Sequence, residues 1–244
     1  MSEPKLTALP QADSTNLYCK AHLSGMGHFD AVWTTCQTAG RGRRGHVWQN
    51  APGEALYYTI LFKEPLADPA CLSLASGLAA ARALEECFGV ECALKWPNDL
   101  LLGGKKAVGI LCEGFGGAFV SGIGVNLSQT AEFFAAAGLP HGVSVAGHLG
   151  HSLPPDAPRR LAESLSRHFI QDADLKAFYR EGFSPLRADY LPRCVNLGRQ
   201  VWFEGGEGVA ETVDEQGRLV VAAEGGLRHV LSGEVSVKGI YGRV

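Results

Sequence analysis

Residues 68–88 (DPACLSLASGLAAARALEECF) set Leu74, Leu78, Ala81, Leu84 and Phe88 three or four positions apart, the spacing that gathers side chains on one face of an α-helix. Asp68 suits the cap, Pro69 the first turn and Gly89 the stop, so the pattern predicts a helix with both ends marked. Residues 55–62 (ALYYTILF) are β-branched and aromatic enough for a strand, and residues 91–96, 107–112 and 118–125 predict further strands of a central sheet facing helices. Residues 156–170 and 174–183, each opening on an aspartate, return to helical spacing. From about Leu197 the texture changes. Short runs at 200–204, 208–213, 219–223 and 235–239 are broken by glycine-rich turns such as Asp214-Glu215-Gln216-Gly217, which predicts a small β-barrel. The stretch 138–158, rich in Gly, His and Pro, is expected to be a loop, and no internal repeat is visible. The expected fold is α+β: a mixed sheet with packed helices in residues 1–196, followed by the small barrel in residues 197–244.

Composition narrows the class. A chain of 244 residues that is 46% hydrophobic can bury a sizeable core and fits an ordinary globular protein. It contains no run of about 18 apolar residues, and the opening MSEPKLTALPQADSTN has no basic start followed by an apolar stretch. Neither a membrane span nor a signal peptide is therefore expected, and the expected compartment is the cytoplasm. The seven cysteines are an odd number without a C-x-x-C pair, which argues against a disulfide framework or a zinc site and leaves no protein-held metal expected. A formal charge of −3 argues against a dedicated nucleic-acid binder.

Against that background the segment 37–48 (QTAGRGRRGHVW) stands out. It packs Arg41, Arg43 and Arg44 with Gly40, Gly42 and Gly45, and this mixture asks for an anion. Glycines let the backbone approach a ligand closely, while guanidinium forks match phosphate or carboxylate oxygens two at a time. Taken alone, the segment reads equally well as a flexible Arg/Gly loop that binds RNA without specificity. Because the charge excess is local, the anion is expected to be small and held in a pocket.

Downstream come Lys95-Trp96-Pro97-Asn98-Asp99-Leu100, then Lys106-Ala107-Val108-Gly109-Ile110-Leu111-Cys112-Glu113, then Gly122-Ile123-Gly124-Val125-Asn126, with Ser14-Thr15-Asn16 ahead and Ser232-Gly233-Glu234-Val235-Ser236 behind. In this order the motifs resemble those of the biotin protein ligases, over nearly the whole chain. The resemblance implies a class II synthetase-like catalytic domain with an SH3-like cap. It implies activation of biotin by ATP, with Mg²⁺, to biotinyl-5′-AMP, then transfer to a lysine of a biotin carboxyl carrier protein. Lipoate and octanoate ligases share the carrier-lysine chemistry, but their apolar substrates need no set of groups to read a ureido ring.

By the same resemblance Ser14, Thr15, Asn16 and Gln37 face that ring, although Ser-Thr-Asn also reads as a helix N-cap. Arg41, Gly42 and Arg43 hold biotin and cover the phosphates, with Arg44 beside them on the adenylate. Lys106 reaches both the biotin carboxylate and the α-phosphate, Trp48 packs on adenine, and Asn126 lines the nucleotide side. Lys106, Arg43 and Asp99 are the catalytic candidates, with Lys106 and Asp99 expected in loops. Asp99 has three open roles: aligning the incoming lysine, deprotonating it, or helping to hold Mg²⁺. One departure is His46, where the family commonly carries arginine, so a phosphate contact there is expected to be weaker, pH-dependent or missing. Only 13 residues precede Ser14, too few for a helix-turn-helix, so no sequence-specific DNA binding is expected. A homodimer is left open.

Overall fold

The computed structural model describes residues 3–49, 51–231 and 233–241. Ser232, the first residue of the C-terminal motif, lies outside them. In chain order the elements are β1 (Leu6–Ala8), α1 (Thr15–Ala21), β2 (Ala31–Thr34), β3 (Ala55–Phe62), α2 (Leu72–Phe88), β4 (Ala93–Lys95), β5 (Asp99–Leu102), β6 (Lys105–Phe115) and β7 (Ala118–Asn126). They continue with α3 (Ala131–Ala136), α4 (Val145–Leu149), α5 (Ala157–Gln171), α6 (Ala173–Glu181) and α7 (Arg187–Arg193). The chain then gives β8 (Gln200–Phe203), β9 (Gly206–Val213), β10 (Leu219–Ala223), β11 (Gly226–Val230) and β12 (Ser236–Val237).

The first seven strands form one sheet in the order β1-β2-β3-β7-β6-β5-β4. Only β1 runs parallel to its neighbour, so the sheet is mixed, as expected. Every residue of β3 is buried, because both faces of the sheet are covered. Leu56, Tyr58, Ile60 and Phe62 join the main core with Leu74, Leu78 and Leu84 of α2 and Leu161, Leu165 and Phe169 of α5. On the opposite face, Leu61 packs with Cys19 of α1, Val32 and Val120. The same two-residue period runs through β6 and β7: Val108, Ile110, Ile123 and Val125 enter the main core, while Gly109, Gly122 and Gly124 fall on the other face. Gly109 pairs with Gly124, and together with Gly122 they leave this part of the face without side chains. A cavity lies there.

The marked helix forms where its signals stand. Asp68 accepts from the Ala70 N–H across a short 3₁₀ turn, and Gly89 ends α2 in the left-handed conformation at φ 66°. Other elements differ in extent. The strand expected at 91–96 contracts to β4, because the turn through the cis Trp96-Pro97 bond reverses the chain into β5. Asp99 therefore opens a strand instead of lying in a loop. The strand expected at 107–112 begins two residues earlier, so Lys106 is a strand residue paired with Leu101, not a loop lysine. The expected loop at 138–158 contains α4, started by the Ser144 hydroxyl accepting from the Gly147 N–H.

The C-terminal strands form a five-stranded antiparallel sheet, ordered β11-β10-β9-β8-β12. Where a small barrel was expected, no pairing among the described residues closes β11 onto β12. This sheet is tied to the first one through the Trp96 turn. The Trp96 indole donates to the Gly217 carbonyl at 3.0 Å, and the buried Lys95 ammonium donates to the Val235 carbonyl at 2.9 Å. Both bonds cross between the sheets next to Asn98 and Asp99.

Candidate active site

The glycine face of the first sheet floors a cavity of about 570 Å³, walled by α1, the arginine loop, the Trp96 turn, residues 133–142 and the segment 233–241. Its two ends differ in chemistry. At one end the groups are neutral and interlocked. Gln37 Oε1 accepts from the Thr15 backbone N–H at 3.0 Å, and the Thr59 hydroxyl lies 2.7 Å from Thr15 Oγ1 and 2.8 Å from Asn16 Oδ1. Asn16 Nδ2 donates to the Leu111 carbonyl and to Glu113 Oε2, and Glu113 Oε1 meets the Lys20 ammonium at 3.0 Å. Burial works against the Glu113 charge, but the bonds from Asn16 and Lys20 outweigh it and hold the carboxyl below its usual range. The asparagine amide is thereby fixed in one orientation. A Cβ at Gly122 would lie 2.3 Å from Asn16 Oδ1, so the glycine is a condition of that placement. Ser14 sits at the N-cap of α1, yet its side chain makes no capping hydrogen bond; it lines the cavity instead. The two readings of Ser-Thr-Asn meet in one position.

At the other end the groups are charged. The Lys106 ammonium lies 2.7 Å from Asp99 Oδ1 and 5.6 Å from the centre of the Trp48 ring. Backbone bonds fix the lysine's strand: its N–H donates to the His141 carbonyl at 2.7 Å, and its own carbonyl accepts from Val143. Asn126 supports the same segment, its Nδ2 3.4 Å from the Lys106 carbonyl and 3.3 Å from that of Val143. Trp48 lies on the glycine floor, where a Cβ at Gly109 would come within 2.3 Å of its ring. Arg43 reaches across the mouth, donating to Asn98 Oδ1 at 2.8 Å and to the Gly233 carbonyl at 3.3 Å. Arg41 and Arg44 are exposed on the same loop, and Arg44 pairs loosely with Glu204 at 3.4 Å. Gly42 closes the loop by donating its N–H to the His46 carbonyl, and the His46 side chain is exposed. Lys95 stands behind them, its pKa pulled down by burial.

Every site residue expected from sequence therefore lines this one cavity, with cations converging at one end and amides and hydroxyls at the other. Such an arrangement can hold a ligand with a neutral polar head and an anionic tail, and bring a second anion to that tail.

Along 93% of its length the chain is 32% identical to the biotin–[acetyl-CoA-carboxylase] ligase of Paracoccus denitrificans, of which the match covers 98%. The chain belongs to the biotin protein ligase family. A second family member, the biotin–[acetyl-CoA-carboxylase] ligase of Mycobacterium tuberculosis, is 32% identical over 95% of this chain and 88% of its own. The sequence model of the biotin/lipoate A/B protein ligase family matches residues 9–129, and that of the biotin protein ligase C-terminal domain matches residues 197–238. Among solved structures, the Aquifex aeolicus biotin protein ligase in complex with biotin and ATP superposes with a TM-score of 0.80, at 26% identity, over 96% of this chain and 98% of that one.

Several residues that shape the biotin ligase cavity carried no signal in sequence. Thr59 lies in a strand that reads only as an apolar run, Glu113 closes the Lys106 motif with nothing to mark it as a partner of Asn16, and Tyr241 and residues 133–142 reach the site only through tertiary packing. Lys95 and Glu234 sat inside quoted motifs, but nothing in the spacing separated them from their neighbours.

Proposed function

We propose that this chain activates biotin with ATP to biotinyl-5′-AMP and passes the biotinyl group to a lysine of a biotin carboxyl carrier protein. The observation that carries the reading is the division of one cavity into an interlocked neutral end and a cationic end. The ureido ring of biotin is neutral and needs buried donors and acceptors, which Ser14, Thr15, Asn16 and Gln37 supply. An aliphatic acyl chain would displace water from this polar end and offer no hydrogen bond in exchange, which disfavors lipoate or octanoate as the substrate.

The valerate carboxylate of biotin extends toward Lys106, where it must approach the α-phosphate against like-charge repulsion. Lys106 and Arg43 oppose that repulsion as fixed cations, and the developing negative charge of the transition state strengthens their hold. Arg41, Gly42 and Arg44 cover the phosphates from the loop, Trp48 offers its face to adenine, and Asn126 keeps the Lys106 segment in place beside the nucleotide. Asp99 orients the Lys106 ammonium and is the carboxylate within reach of an incoming carrier lysine. Mg²⁺ enters this reading as the counter-ion of ATP. Among the described residues no group of three His, Cys, Asp or Glu side chains could hold a metal, and a cation that keeps its waters and takes phosphate oxygens needs none.

The division into a catalytic unit at 1–196 and a smaller unit at 197–244 belongs to the same proposal, supported by the change of sheet at β8. So does a cytoplasmic location, which suits seven thiols that are not cross-linked. No helix among the described residues is long and apolar enough to cross a membrane. Pyrophosphate release from ATP on adding biotin, compared with lipoate and octanoate, tests the reaction. Release with biotin alone is expected, and equal release with octanoate would overturn the assignment of substrate.

A further inference from the structure

One side chain that touches several parts of the cationic end comes from the segment after the second sheet. Tyr241 follows β12, yet it lines the cavity built on the first sheet. Its hydroxyl donates to Asp99 Oδ2 at 3.1 Å, while Asp99 Oδ1 takes the Lys106 ammonium at 2.7 Å. The two oxygens of one carboxylate are thus held differently, Oδ1 by the Lys106 ammonium and, at 3.4 Å, by the Asn98 amide, and Oδ2 by the phenol. Two further contacts hold the ring. The Lys95 ammonium lies 5.1 Å from its centre, and the His141 ring stacks on it at 5.8 Å with an interplanar angle of 28°. His141 is also the residue whose carbonyl receives the Lys106 N–H. Tyr241 therefore touches both anchors of Lys106, its carboxylate partner and its backbone neighbour.

The backbone adds an independent observation. Tyr241 has φ 57°, in the left-handed region that glycine enters without cost and a bulky side chain rarely does. A large aromatic is kept there only where its contacts offset the strain. Burial, and then the charge of Asp99, push the phenol pKa up, so the hydroxyl remains a donor at any pH near neutrality.

We propose that Tyr241 is a positioning residue for adenylation: its phenol pins the Asp99 carboxylate, and through Asp99 it aims the Lys106 ammonium at the point where the biotin carboxylate meets the α-phosphate. This rests on the reaction proposed above. With Oδ2 engaged by the phenol, Asp99 cannot turn both oxygens onto Lys106, and the ammonium keeps its remaining N–H donors for the substrate anions. Thr15, Asn16 and Gln37 are held by bonds among themselves and to Thr59 and Glu113, so recognition of the neutral ring does not pass through Tyr241.

Tyr241→Phe keeps the ring and its packing and removes only the hydroxyl. In single turnovers of the full chain, the rate of biotinyl-5′-AMP formation is expected to fall about tenfold, with half-saturation by biotin moving by less than about twofold. In an Asp99→Ala background the same substitution should have no further effect, because the partner it acts through is gone. An unchanged rate in Tyr241→Phe, an equal loss in the Asp99→Ala background, or a rise in half-saturation matching the loss of rate would each overturn the proposal. A wild-type chain that forms no adenylate with biotin would remove the reaction itself, and the proposal with it. An active wild type with a silent Tyr241→Phe removes the role of Tyr241 alone.

Discussion

At the neutral end of the cavity, Thr15 and Asn16 of α1, Gln37 beyond β2 and Thr59 of the central strand β3 are buried and bonded to one another. The arginine loop has the opposite construction. Arg41, Arg44, His46 and Val47 are exposed, Arg44 takes a positive φ of 53°, and the side-chain ties of Arg43 and Arg44 cross to Asn98, to Gly233 and to Glu204. The difference follows from what each end binds. A neutral ring gives up its water only to partners already in place, so the amides must be pre-aligned. An anion is attracted over several ångströms by any nearby guanidinium, so the loop can order itself as the ligand arrives. Interlocked hydrogen-bonding and exposed charge thus share one cavity, with Lys106 and Asp99 on the border between them.

That border carries the largest expected effect. Lys106→Ala removes the cation fixed by strand β6 at the junction, and adenylation is expected to slow by roughly a hundredfold or more, as for other charge-assisted contacts to a transition state. Lys105, its exposed neighbour, is the control: Lys105→Ala should stay within a few-fold of wild type in the same pyrophosphate-release assay. Equal, small losses at both positions would place the junction elsewhere.

The rigid end should fail by overpacking. In Gly122→Ala the new Cβ must displace Asn16 Oδ1 from 2.3 Å, and Asn16 is tied to Glu113, Leu111 and Thr59, so it has little room to yield. A cost of about 2 kcal/mol, or roughly thirtyfold in biotin affinity, is expected from calorimetry. Gly25→Ala, where a Cβ meets nothing within 4 Å, should bind biotin as wild type does. If Gly122→Ala also binds normally, the neutral end is softer than its hydrogen bonds imply.

The contrast between the two ends also governs what could be read from sequence. The arginine loop announced itself because its residue types are unusual at any position. Helix α2 did so because Asp68 and Gly89 act locally on the backbone beside them. Thr59 and Glu113 did not, since a hydroxyl or carboxylate in an apolar strand acquires its partner only when α1 packs over the sheet. Strand β11 was overlooked for a related reason: its first four residues are exposed, so no alternation of apolar and polar positions marks it. Lys106 was identified but misplaced: Gly103-Gly104 do form a turn, at φ 55° and 78°, but it is short enough that pairing with β5 already begins β6 at Lys105. Local signals were legible. Groups whose neighbours lie tens of residues away were legible only where the resemblance supplied the partner.

The exposed end should lose retention before it loses chemistry. Arg43 joins the loop to Asn98 of the Trp96 turn and to the carbonyl of Gly233, so Arg43→Gly cuts two ties that hold the loop across the mouth. Biotinyl-5′-AMP is expected to escape about tenfold faster, the scale of one lost charge-assisted hydrogen bond, while its formation slows less. Arg44 is the next residue in sequence but in a different situation. Its pair with Glu204 joins side chains that are 53% and 87% exposed, where solvent screens most of the attraction. Arg44→Ala should therefore change the escape rate by less than about twofold. Trapping released adenylate from pre-loaded enzyme measures both variants in one experiment. A larger leak from Arg44→Ala than from Arg43→Gly would show that exposed charge, and not the tie to Asn98 and Gly233, keeps the intermediate in place.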